Sequence, residues 1–169
     1  MNRTILRILD ILIIVSFFVL LYILIEPQYQ NAKITTKKRK LQSNMFVVKA
    51  AIERYRAFHS GVIPSRIEDI YENMKTFGIP TNPYTNQNLS LSDFNKFTYI
   101  SISQIEEVDT NSFHAEQRGK PGGIGIGFYF PPVQTDSLPL GYGIIGFDSE
   151  GKPLTIKEGE KVRVFVLTE

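Results

Sequence analysis

Residues Leu6 to Ile25 (LRILDILIIVSFFVLLYILI) constrain this chain more than any other stretch. A helix rises about 1.5 Å per residue, so the run reaches about 30 Å, the hydrocarbon thickness of a bilayer. From Ile11 to Ile25 the only residue that is not hydrophobic is Ser16. A helix apolar on every side has no polar face to turn to water, so it belongs in a membrane or deep in a core. Met1-Asn2-Arg3 gives a basic start, as in a secretory signal. The run is longer than such signals need, though, and it ends in Leu24-Ile25-Glu26-Pro27 with no small-residue cleavage site. The expectation is a retained single-pass anchor carrying one small domain.

The remaining length bounds that domain. A chain of 169 residues leaves room for one compact unit beyond the anchor. A net charge of +2 selects no class of partner. The absence of cysteine excludes disulfides, thiolate chemistry and cysteine zinc sites.

After Pro27 the pattern becomes amphipathic. Ile34, Leu41, Met45, Val48, Ile52 and Tyr55 recur at helical spacing, while Lys37 to Lys40, Gln42, Lys49, Glu53 and Arg56 fall on other faces. Leu41, Met45, Val48, Ile52 and Tyr55 are expected to pack on a sheet. A short coiled coil is the competing reading, but the repeat is brief and lacks ordered flanking charge pairs. Proline bends a helix, and Pro27 marks the place where this one would leave the bilayer. Ser65-x-x-Glu68 reads as a capping box opening a short helix over about 66–76. From Lys96 onward the pattern alternates with period two. Strands are expected at 96–102, 124–130, 141–147, 154–156 and 161–167. Turns are expected at Asp148-Ser149-Glu150-Gly151 and Glu158-Gly159-Glu160. The fold class is therefore α+β: a long N-terminal transmembrane-plus-amphipathic helix packed on a C-terminal antiparallel β-sheet. Its segments are a basic stub (1–5), a membrane or assembly helix (6–26), its amphipathic continuation (27–60) and a globular domain (61–169).

At this point the chain resembles the type IV pilin and type II secretion pseudopilin superfamily, the major pseudopilins in particular. The order carries the likeness: basic start, apolar helix, proline, amphipathic helix, sheet. So does Pro27-Gln28-Tyr29, which is similar to the Pro-x-Tyr stretch where such helices leave the membrane. So does spacing, because Asp10 stands 17 residues before Pro27, where the family places its acid. Ala51-Ile52-Glu53-Arg54-Tyr55, Gly61-x-x-Pro64 and Asn82-Pro83-Tyr84-Thr85 follow a similar order further on. The chain departs from the family at the prepilin peptidase site. Ile5 stands where the glycine would be, Leu6 where the phenylalanine would be, and Arg7 replaces threonine.

The resemblance implies a pilin-like fold, a non-enzymatic role as a filament or pseudopilus subunit, and partners that are copies of itself or other pilin-like subunits. An inner-membrane assembly platform and the lipid bilayer complete the partner set. It further implies a cytoplasmic N-terminus with the globular domain outside the inner membrane. The basic residues Lys33, Lys37, Lys38, Arg39 and Lys40 argue the other way, because positive charge favours the cytoplasmic side. A solvated helix face accounts for that run; anionic headgroups or nucleic acid are the sharper alternatives, and nucleic acid is not expected. Asp10 would set register by pairing with an N-terminal amine or Arg7 of a neighbouring helix. Otherwise Asp10 and Arg7 sit together at the headgroup boundary.

No catalytic constellation emerges. His59 and His114 lie outside any metal spacing, and Glu106-Glu107-Asp109 reads as a solvated loop. Gly123-x-Gly125-x-Gly127 leads into Phe128-Tyr129-Phe130-Pro131-Pro132 rather than a helix, so a phosphate loop is not expected and close packing or a twist is the better account. Asp148 and Glu150 are weak calcium candidates, since major pseudopilins often hold calcium in a C-terminal loop. They lack the full acidic loop, however, and no cofactor is expected.

Overall fold

The computed structural model describes residues 3–99, 117–130, 138–158 and 161–168. By sequence, α1 spans Arg3–Phe58 without a break, with Pro27 inside it. The chain divides into two compact units, Met1–Lys37 and Lys38–Glu169, so the boundary falls within α1.

The first unit is helical. Pro27 has no N–H for the Ile23 carbonyl, yet the helix continues on both sides. Ser16 Oγ donates to the Leu12 carbonyl at 2.8 Å, and Thr35 and Thr36 donate likewise to Asn31 and Ala32. Each hydroxyl is thereby satisfied inside its own helix.

The second unit is a helix-on-sheet fold. Leu41, Met45, Val48 and Ile52 are fully buried, with Ala51 beside them. Burying those four larger side chains contributes about 6–12 kcal/mol as an upper estimate. Met45, Val48, Ala51 and Ile52 pack with Ile124, Ile126, Phe128, Tyr142 and Ile144 of the sheet, together with Ile63, Ile70, Met74, Leu89 and Phe94, while Leu41 lies over Gly146. The helix-on-sheet expectation describes this unit; the coiled-coil alternative does not. Tyr55, expected in the same face, is a correction. It is half-buried and stacks on His59, with ring centroids 3.8 Å apart. Ile63, arriving after the helix ends, lies in the core instead.

The strands are β1 (Phe94–Tyr99), β2 (Ile124–Tyr129), β3 (Gly141–Gly146), β4 (Thr155–Glu158), β5 (Lys161–Val164) and β6 (Val166–Thr168). Four form one sheet in the order β1-β2-β3-β6, and β4 with β5 forms a separate two-stranded ribbon. The expectation of a wholly antiparallel sheet is corrected at one edge: β1 runs parallel to β2, with Phe94 opposite Ile124. Parallel neighbours need a long crossover, and residues 100–123 supply the length. The pairs β2–β3, β3–β6 and β4–β5 are antiparallel. The single strand expected over 161–167 is two strands, broken at Phe165, whose N–H donates to the Leu154 carbonyl at 2.7 Å. The expected residues 100–102 of the first strand, and the turn residues Gly159 and Glu160, lie outside the described residues.

Both sheet faces are occupied. The helix side holds Ile124, Ile126 and Phe128; the far side gathers Ile145, Phe147 and Val164 with Phe97 and Val166. Gly125 shows what its glycine is for, since a Cβ there would lie 2.3 Å from Phe97 Cε2 and 2.8 Å from Ile145 Cγ1. On the helix side a Cβ at Gly146 would lie 2.9 Å from Leu41 Cγ and 3.0 Å from Met45 Sδ. Glycine at these places lets larger neighbours sit directly on the strand backbone.

The short helix α2 spans Ile67–Met74, inside the range expected for it, and buries Ile70 and Met74. The Ser65–Glu68 capping box does not form. Arg66, in extended conformation, is the N-cap residue and makes no side-chain cap bond. Its guanidinium instead reaches Asp69 at 2.9 and 3.2 Å, and the Ser65 carbonyl accepts from Lys96 Nζ at 2.8 Å. A capping box does form at Ser90 and Asp93, around the 3-10 turn Leu91–Asp93.

Candidate functional site

The feature that sets this chain apart is the bare apolar surface of α1. From Ile11 to Ile25 every apolar side chain except Leu21 is 53–66% exposed. Soluble monomers rarely leave a continuous apolar patch above a few hundred Å² uncovered. Among the described residues one helix is long and apolar enough to cross a membrane, and none of that apolar stretch is buried. The class this defines is an α+β chain with an N-terminal helix long and apolar enough to cross a membrane.

Asp10 is exposed at one end of this surface. The 17 residues separating it from Pro27 correspond to about 26 Å of helix, so the two bracket a stretch close to bilayer thickness. The side chains of Ile5, Leu6 and Arg7 lie outside the described residues, so the Asp10–Arg7 pairing and the cleavage position rest on sequence alone. Tyr22 and Tyr29 are exposed one heptad apart, on either side of Pro27.

In the second unit, polar groups missed from sequence fasten α1 to its surroundings. Tyr142 Oη donates to the Glu53 carboxylate, Lys49 Nζ donates to the Thr168 carbonyl, and Asn44 Nδ2 donates to the Thr81 carbonyl at 2.9 Å. Glu53 also pairs with Arg56 at 3.3 Å. Asn44, 5% exposed, sits three residues past Leu41 on the buried face, and that place in the apolar stripe is the signal the sequence carries.

The loops after α2 gather around Asn82, which is 3% exposed. Its Nδ2 donates to the Pro121 carbonyl at 2.8 Å, and its Oδ1 accepts from the Tyr84 and Thr85 amides at 2.8 and 3.3 Å. Burial pushes the Tyr84 phenol up, and the Asp148 carboxylate adds to this, while a Ser149 backbone hydrogen bond opposes both. Asp148 and Glu150, the calcium candidates, are otherwise engaged. Asp148 Oδ1 accepts from the Glu150 and Lys152 amides at 2.8 and 3.0 Å, which makes it the lock of its own turn. Glu150 pairs with Lys152 at 2.6 Å, and that hydrogen bond and charge hold its carboxyl below the usual glutamate range. Among the described residues no three His, Cys, Asp or Glu side chains are grouped to hold a metal ion. His59 Nδ1 donates to the Tyr55 carbonyl at 2.8 Å. His114, Glu106, Glu107 and Asp109 lie outside the described residues.

Comparison with family models, with curated proteins and with solved structures returns no match.

Proposed function

We propose that this protein is a structural subunit of a pilin-like filament or pseudopilus in the cell envelope, serving a type II secretion or type IV pilus-like system in protein transport. The observation carrying this reading is the exposed apolar surface of α1, continued in sequence by a face whose residues are buried in a helix-on-sheet unit. A span whose sides are all apolar can be covered by lipid or by copies of itself, and Asp10 is a polar mark that would fix the register of such packing. The role is assembly, without catalysis. The N-terminus would be cytoplasmic and the sheet unit extracytoplasmic. Expression in the native envelope should yield sedimentable fibres in the sheared fraction, and Asp10→Ala should abolish them while membrane content stays constant. Fibres unchanged by Asp10→Ala would refute the register role.

A second reading has its own observation: Ile5 occupies the place of the peptidase glycine. It makes the protein an unprocessed single-pass adaptor presenting its domain to an envelope machine. Carbonate-resistant protein of full N-terminal mass, with no fibres, would favour it. An anchored enzyme ranks below both, for want of catalytic residues.

A further inference from the structure

Near the C-terminal end of α1, one cation is held in an unusual way. The Arg54 guanidinium lies 5.3 Å from the Phe58 ring centroid and 5.6 Å from that of Phe77. Phe58 follows one helical turn after Arg54, and Phe77 comes just after α2. Both rings remain open to solvent, 72% and 50% exposed. Arg54 makes no hydrogen bond or ion pair with any of the described residues. The basic residues next to these three in sequence are already matched: Arg56, near Arg54, pairs with Glu53, and Lys75, near Phe77, pairs with Glu72 at 2.6 Å. Among the described residues the place therefore carries one positive charge with no anionic partner, flanked by two aromatic faces.

Those properties define an occupant. A planar guanidinium is shaped to take a carboxylate through two parallel hydrogen bonds. Exposed phenylalanine rings on either side suit apolar side chains, and arginine with aromatics is the composition of binding hot spots. A lipid surface or a nucleic acid calls for a cluster of cations, and here the nearby charges cancel in pairs. We propose that Arg54, Phe58 and Phe77 form a docking site for a partner protein's segment that presents one carboxylate flanked by apolar side chains. The site lies wholly within the second unit and stands independently of the filament reading.

The test uses the full chain in phosphatidylcholine nanodiscs with ring-labelled phenylalanine. The probes are the blocked peptide acetyl-Leu-Glu-Phe-amide and its glutamine counterpart. The acidic peptide is expected to shift the Phe58 and Phe77 ring signals saturably, and to bind about fivefold more tightly than the glutamine peptide, as suits an exposed ion pair. Arg54→Gln should remove that difference. Phe58→Ser, at a ring that is mostly exposed, should leave the fold intact and weaken both peptides. Equal binding of the two peptides, no shift with either, or a preference that survives Arg54→Gln overturns the proposal. Ring signals that respond only when phosphatidylglycerol is added to the nanodisc overturn it in favour of a membrane contact.

Discussion

Met45 and Phe46 are neighbours on α1 with opposite fates, and substituting each with alanine tests how the second unit is built. Met45 is fully buried while Phe46 is 54% exposed. Removing a buried methionine side chain forfeits its transfer energy and leaves a cavity, at about 2–5 kcal/mol. The upper part of that range applies here. The position facing the Met45 sulfur is Gly146, which has no side chain to lean into the gap, and Leu41 and Val48 are themselves fully buried. Met45→Ala should therefore cost about 4 kcal/mol, a large share of the about 5–15 kcal/mol that stabilises an ordinary domain. At about 4 °C per kcal/mol, the midpoint should fall by about 15 °C. Phe46→Ala should stay within about 0.5 kcal/mol of the parent. Thermal unfolding of the full chain in micelles, followed by near-UV circular dichroism, reports on this. The chain has 8 tyrosines and no tryptophan, and far-UV signal from the membrane helix would obscure the transition. Equal losses at the two positions, or a larger one at Phe46, would refute the placement of α1 on the sheet.

Other expectations concern the loops. Asn82→Ala should cost about 1–3 kcal/mol in urea unfolding, since it removes a buried side chain that holds the half-buried Tyr84 amide and the Pro121 carbonyl together. Gly122→Ala strikes the same contact, because its φ is +74° and a Cβ would lie 2.1 Å from Asn82 Oδ1; the double variant should lose less than the two separate losses combined. Lys152→Met should let the Glu150 carboxyl return to the usual glutamate range in an NMR titration. In the parent, where the folded value is depressed, the small stabilisation from this pair is present above the usual glutamate value and disappears as pH falls through the folded one. Tyr84 should titrate above the usual phenol range; because its folded value is raised, its contribution is intact below that range and is lost as pH rises through the folded value.

Periodicity revealed much of this architecture. Leu41, Met45, Val48 and Ile52 could be read because helical spacing follows directly from geometry, and α2 could be read for the same reason. What stayed hidden depends on partners remote in sequence. The parallel placement of β1 beside β2 leaves no trace in either strand, since alternation is the same in both directions. Ser65 and Glu68 have the right spacing for a capping box, but Arg66 rather than Ser65 occupies the cap position. Tyr55 keeps the helical period yet stacks on His59, because period says which side a residue is on and not how far the sheet extends. For the assembly surface, Ile11 to Ile25 is conspicuous from composition alone. Arg54, Phe58 and Phe77 are not, because Phe77 joins the other two only through tertiary structure.

The break at Phe165 fixes something about how this chain can vary. Phe165 and Leu167 pack toward the helix-side core, while Val164 and Val166 pack on the far side. One uninterrupted alternation thus serves two different sheets, the ribbon through β5 and the main sheet through β6. Inserting or deleting a single residue here would exchange inner for outer side chains throughout whichever strand shifted. Length in this segment is therefore locked in steps of two, although Val162 is exposed enough for its identity to change.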